Sequence, residues 1–144
     1  TYDLLIYPSH LSTAKQLIQQ LPSLRVVIDH LAKPAIKSKM YKRWEQEIAE
    51  LASFNQVYCK ISGMVTEADW KCWKYEDFIP VMNTVVTNFG TSRIMLGSDW
   101  PVCLLAATYH DCIQIGRRFF SNYSIDEQTA IFYRNAAHFY GIQL

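Results

Sequence analysis

The sequence has no apolar run approaching the roughly 18 to 20 residues that a bilayer span requires. Its opening TYDLLIYPSH carries no basic segment ahead of a long apolar core, so neither a membrane anchor nor a secretory leader is expected. Charge of one sign is lacking too. Fourteen basic against thirteen acidic side chains leave a net charge of +1, which provides no field for gathering phosphates, and nucleic acid is not an expected partner. Cysteine is sparse: Cys59, Cys72, Cys103 and Cys112 form no C-x-x-C pair. In a chain this long they are expected as reduced, partly buried thiols rather than a disulfide scaffold. Missing as well are G-x-G-x-x-G, G-x-x-x-x-G-K-[ST] and G-x-S-x-G, which removes support from dinucleotide-binding, P-loop and serine-hydrolase readings. A soluble, cytoplasmic protein is the expectation.

What is present is a β/α alternation. The 144 residues are 50% hydrophobic and 14% aromatic, enough to bury a core, and no low-complexity stretch or linker divides residues 1–144, so one domain is expected. Short strands rich in branched or aromatic residues are predicted over Tyr2–Tyr7, Arg25–His30, Gln56–Ser62 and Arg93–Ser98, each followed by a polar turn and a helical stretch. Apolar spacing places helices through Leu11, Ala14, Leu17, Ile18 and Leu21, and through Trp44, Ile48, Leu51 and Ala52, each with one buried stripe. A third helix over Phe78–Phe89 stops at Gly90. Two more follow over Tyr109–Phe120 and Ile125–Tyr140, the latter with Ser124 as N-cap and Gln128 as its partner. Such alternation implies a parallel sheet with right-handed crossovers, either open or closed into a barrel. A complete barrel takes about 250 residues, so four units amount to half of one.

In either architecture the chemistry sits at the carboxyl ends of the strands. Those ends hold Asp29 and His30, then Lys60, Ser62 and Gly63, then Ser98, Asp99, Trp100 and Pro101. Arg25, Gln56 and Arg93 lie at the opposite ends and are expected to be structural. Strand alternation puts Val26 and Ile28 on the same face as an inward His30, and Met95 and Gly97 with an inward Asp99. A desolvated aspartate at the end of Ile94-Met95-Leu96-Gly97 costs several kcal/mol unless it is paired or exposed, which favours a functional role. His30 alone could equally be a core histidine. Lys60 could neutralise Asp99 or a substrate carboxylate, or extend to the rim. Glu67, Trp70 and Trp73 lie where lids grow after the third strand, although the two tryptophans, three apart, could both pack on the sheet from one helix face. His10 is a lesser candidate at the same rim, and a zinc site built from the cysteines has no supporting spacing.

The segments DLLIYPSHL, VVIDHLAKP, VYCKISGMVTEADW, IMLGSDWPVCLLA and NAAHFYG together resemble, in order, the C-terminal half of the amidohydrolase-2 family, across essentially the whole chain. The combination of DH-x-x-KP, K-x-SG-x-VTEADW and GSDWPV is similar to that of its TIM-barrel hydrolases of the sugar-lactonase, L-fuconolactonase-like kind. The resemblance implies four β/α units forming the C-terminal half of a (β/α)8 TIM barrel. It implies that Asp99 takes a proton from the attacking water and that His30 contacts substrate or metal. Lys60, Trp100, Trp70 and Glu67 then fall on motifs that line the substrate. If a divalent metal such as zinc is bound, Asp99 and His30 are its ligands, and related lactonases do not always use one. The implied reaction is hydrolysis of a cyclic ester, a sugar lactone, by Asp99-activated water. The family's first-strand H-x-H motif has no counterpart in this sequence. The alternative is a catalytically inactive truncated or assembly fragment of such a hydrolase. An isolated half barrel would leave strand edges and an inner apolar face uncovered, so a homodimer closing the barrel by two-fold symmetry, or a separate N-terminal half, is expected.

Overall fold

A computed structural model of the chain describes residues 1–143. Four parallel strands, β1 (Tyr2–Leu4), β2 (Val26–Ile28), β3 (Val57–Ile61) and β4 (Ile94–Leu96), lie in sequence order. Tyr2 pairs with Val26, Val26 with Val57, and Cys59 with Ile94. The first three crossovers run through α1 (Leu11–Gln20), α2 (Lys42–Ala52) and, after a single turn α3 (Met64–Glu67), α4 (Tyr75–Phe89). After β4 come α5 (Tyr109–Phe119), α6 (Ile125–Thr129), a π turn over Ala130–Arg134 and α7 (Asn135–Tyr140). These are the four units of a half barrel. No helix among the described residues is long and apolar enough to cross a membrane.

The strands are shorter than the sequence suggests, because pairing ends where the chain turns into the loops that carry polar groups. Along β3 the alternation is clear: Val57, Cys59 and Ile61 are buried, while Tyr58 and Lys60 are only partly covered. Val26, Ile28, Cys59, Ile61 and Ile94 pack against Trp44, Ile48 and Leu51 of α2 and Phe78, Val81 and Val85 of α4. That apolar layer is the main core. Val26 and Ile28 therefore face the helices, contrary to the expectation that they share a face with His30.

On the other side of the sheet, the inside of the half barrel, Val27 and Met95 meet Phe139 of α7, with Tyr58 alongside. The apolar part of the inner face is thus covered by the chain's own last helix, which Asn135 holds down by donating to the carbonyls of Thr91 and Ile94, both at 2.8 Å. Arg25 donates to His138 O, and Arg93 donates to Phe54 O and Val57 O, so both arginines are structural as expected. The edge strands are flanked by exposed apolar groups: Tyr2, Leu5 and Tyr7 beside β1, and Trp100, Val102 and Leu105 beyond β4.

Helix ends follow local chemistry. Thr108 and Asp111 cap α5 reciprocally. Ser124 caps α6 as expected, but its partner is Glu127, whereas Gln128 donates to Tyr123 O. Gly90 ends α4 with φ +67.

Candidate active site

His30 does not stand on a strand. β2 ends at Ile28, and His30, Leu31, Ala32 and Lys33 all adopt left-handed backbone, with φ of 52, 54, 56 and 55°. Each such residue costs roughly 1–2 kcal/mol when it carries a side chain. Burial of Leu31 and Ala32, both 0% exposed, and closure of the turn by the Lys33 N–H donating to His30 O at 2.7 Å oppose that cost. The turn lifts the imidazole off the strand register and lays it over the end of β3. There Gly63 admits it, since a Cβ at Gly63 would lie 2.8 Å from His30 Cγ.

His30 Nδ1 is 2.8 Å from Ser62 Oγ, and His30 Nε2 is 3.4 Å from Asp99 Oδ1. A carboxylate facing Nε2 favours a proton on that nitrogen, so the Ser62 hydroxyl donates to Nδ1. Burial pushes the imidazole pKa below its ordinary value, outweighing the opposing pull of the Asp99 and Asp29 carboxylates, and the ring is neutral at pH 7. Asp99 also has left-handed backbone, φ +61°, and its carbonyl accepts from the Cys103 N–H at 2.9 Å. Its Oδ2 is buried with no hydrogen-bond partner among the described residues. That orphaned oxygen faces a desolvation cost that a bound water or substrate proton would relieve.

Lys60 does not approach Asp99 closely enough to pair. Its ammonium contacts Asp3 Oδ2 at 2.6 Å and Asp29 Oδ1 at 2.7 Å, and the Tyr140 hydroxyl donates to Asp3 at 2.7 Å. Burial works against the Lys60 charge, yet the two carboxylates outweigh it and hold the ammonium well above its usual pKa. For Asp3, burial is likewise outweighed by Lys60 and Tyr140, leaving the carboxyl below its ordinary value. Lys60 therefore fixes Asp29, the residue before His30, instead of extending freely to the rim.

The rim itself is tied together by charge. Glu67 accepts from Lys33 at 2.9 Å, and Lys37 and Lys39 pair with Asp69 and Asp77. These bonds bind the loop after β2 to the segment after β3 and to the first turn of α4. Trp70 and Trp73 do not share a face: Trp73 packs on Phe78 and donates to Ala106 O, whereas Trp70 is half exposed beside a hollow of about 540 Å³. Trp100 is exposed next to Asp99. His10 turns back to accept from the Tyr7 N–H, a local cap. The cysteines are free thiols, with Cys72 exposed and the other three buried.

Sequence reasoning left Ser62 without a role and took Asp29 only as the neighbour of His30. The signal for both was strand alternation, since Asp29, Lys60 and Ser62 follow Val27 and Tyr58 on the inner face. As a metal centre the site falls short. Among the described residues no three His, Cys, Asp or Glu side chains converge, and His30 with Asp99 offers two ligands where zinc takes about four.

Residues 3–142 match the family model described as amidohydrolase. The chain is 38% identical over 151 residues to an L-fucono-1,5-lactonase of Burkholderia ambifaria, covering 98% of this chain and 50% of that protein. It is 33% identical to an L-fucono-1,5-lactonase of Burkholderia multivorans, covering 98% and 51%. A crystal structure of an amidohydrolase from Burkholderia multivorans with bound zinc superposes with a TM-score of 0.93 at 33% identity, over 99% of this chain and 52% of that one. The chain thus spans about half the length of the curated relatives it matches.

Proposed function

The chain belongs to the amidohydrolase family, and on that footing we propose that it is the water-activating half of a barrel hydrolase that opens a sugar lactone. The observation that carries this reading is the convergence of two groups from the turns after β2 and β4: His30 Nε2 lies 3.4 Å from Asp99 Oδ1, beside an Asp99 Oδ2 that has no hydrogen-bond partner among the described residues.

Asp99 accepts a proton from water as the water oxygen bonds to the lactone carbonyl carbon. The carbonyl π electrons move to oxygen, and the His30 Nε2–H donates to that oxyanion. When the tetrahedral species collapses, the ring C–O bond breaks and Asp99 returns the proton to the leaving alkoxide. The product is the open hydroxy acid. Ser62 keeps His30 in the donating tautomer throughout. Trp70 and Trp100 offer exposed aromatic faces for the apolar side of a sugar ring. Lys60, through Asp29, and Glu67, through Lys33, hold the walls on which these groups stand.

Activity on this reading requires the other four units of the barrel, supplied by a family N-terminal half, and the uncovered edges of β1 and β4 are where it would pair. A second copy closing the barrel by two-fold symmetry is the competing arrangement. Were a divalent metal such as zinc bound in that completed barrel, His30 and Asp99 would be two of its ligands, and the metal would polarise the carbonyl in place of the His30 N–H; none of the steps above passes through it. Four free thiols suit a cytoplasmic setting.

The test is proton release from a panel of five- and six-membered sugar lactones, L-fucono-1,5-lactone included. The chain is assayed alone and mixed with a family N-terminal half. Turnover in the mixture that vanishes in Asp99→Asn is the expected result. Activity of the chain alone, running with a dimer, would favour two-fold closure. Silence in both overturns the reading in favour of an inactive fragment.

A further inference from the structure

Four consecutive left-handed residues, none of them glycine, need a reason to persist. The run at His30–Lys33 starts two residues past the end of β2 and opens with the candidate catalytic histidine itself. Its central residue, Leu31, is fully buried, so both of its backbone polar groups must find partners inside the protein. The Leu31 N–H lies beside the Cys59 thiol on β3. The Leu31 carbonyl accepts from the indole Nε1–H of Trp44 at 2.6 Å. Trp44 is 2% exposed and belongs to α2, on the helix side of the sheet, while the His30 ring is turned to the opposite, inner side. In a right-handed turn the Leu31 carbonyl would point elsewhere and the indole N–H would be buried without an acceptor.

We propose that Trp44 is a positioning residue for His30: by holding the Leu31 carbonyl from behind the sheet, its indole N–H locks the left-handed turn that aims the imidazole at Asp99. This rests on the assignment of His30 to the reaction, but it is tested without turnover. Trp44 is the aromatic member of the apolar stripe on α2, where packing alone would have been sufficient. Its neighbour on that stripe, Ile48, is equally buried and has no polar group to offer the turn.

The test compares Trp44→Phe, which keeps an aromatic ring and removes the N–H, with Ile48→Val, which loosens the same stripe. The full chain carries 15N-labelled histidine, and the His30 ring signals are assigned by their loss in His30→Gln. Trp44→Phe is expected to shift or broaden those ring signals, and Ile48→Val to leave them in place. In a barrel completed by a family N-terminal half, Trp44→Phe lowers kcat roughly 10- to 100-fold with KM unchanged. His30 signals that stay put in Trp44→Phe overturn the proposal. Should Trp44→Phe fail to fold, hydrogen exchange on the unaltered chain decides: the Trp44 indole N–H and the Lys33 N–H, which closes the turn, are expected to exchange together. Exchange of the indole with the Lys33 amide still protected overturns it. A completed wild-type barrel that turns over no lactone would sink the lactonase reading and leave the ring signals to settle Trp44 separately.

Discussion

The Ser62 hydroxyl lies 2.8 Å from Nδ1 of His30, at the edge of the ring away from Asp99, whose carboxylate faces Nε2. A serine that is 4% exposed therefore supports, by donating to Nδ1, the Nε2–H tautomer that the Asp99 carboxylate favours. Ser62→Ala leaves a buried ring nitrogen without a partner and should lower stability by about 1–3 kcal/mol. Ring nitrogen NMR should report a weakened preference for the Nε2–H tautomer. An unchanged tautomer would assign that preference to Asp99 alone.

Gly63 and Gly141 form a matched pair, both left-handed, with φ of +61 and +69°. An alanine methyl at Gly141 meets nothing within 4 Å, so Gly141→Ala should cost only the left-handed penalty, about 1–2 kcal/mol. At Gly63 the same methyl collides with the His30 ring, and Gly63→Ala should cost roughly 2–4 kcal/mol. Denaturant midpoints of the two variants check the difference, and equal losses would show that the ring is free to move.

Lys60 stands between Asp3 and Asp29. Lys60→Met removes the only cation contacting both carboxylates among the described residues and should destabilise the chain by roughly 2–4 kcal/mol. Adding Asp3→Asn and Asp29→Asn to that variant should recover most of the loss, since the residual penalty is unpaired charge. A triple variant as unstable as Lys60→Met would instead point to packing by the lysine stem.

The depressed pKa of His30 makes stability depend on pH. Burial holds the folded imidazole below its ordinary 6.5, so the unfolded chain takes up a proton that the folded chain does not. The stability tied to this group is complete above that ordinary value and is lost as pH falls through the folded value. Thermal melts between about pH 5 and 7.5 should show Tm falling more steeply in the wild type than in His30→Gln. Parallel curves would remove His30 from the acid response.

The two tryptophans after β3 should separate cleanly. Trp73→Ala removes the contact with Phe78 and the bond to Ala106 O and should cost roughly 2–4 kcal/mol. Trp70→Ala should stay within about 0.5 kcal/mol while raising KM for the lactone in the completed barrel. A KM unmoved by Trp70→Ala would take that ring out of the substrate site.

The β/α order was legible because each strand is a short branched run and each helix carries one apolar stripe, as in Trp44, Ile48 and Leu51. Motif resemblance singled out Asp99 and His30 as a pair, and the structure brings them to 3.4 Å. What alternation could not supply was the orientation of His30. Counting by twos from Val26 puts His30 on the helix-facing side, whereas the left-handed turn breaks the count after Ile28. The partners of Lys60 were hidden for a different reason. Asp3 on β1 and Asp29 just past β2 meet Lys60 only through the parallel register, which a linear reading does not contain. Glu67 illustrates the same limit, since its bond to Lys33 joins two loops across 34 residues of sequence.

The covering of the inner face by α7 also has a temporal side. Phe139 closes over Val27 and Met95, and the Tyr140 hydroxyl reaches Asp3 across 137 positions of sequence. On a ribosome adding about 5–20 residues per second, Val27 waits on the order of ten seconds for the side chain that will shield it. During that interval the nascent sheet is a sticky, two-faced sheet with open edges, and chaperone engagement is expected to peak before the last helix emerges.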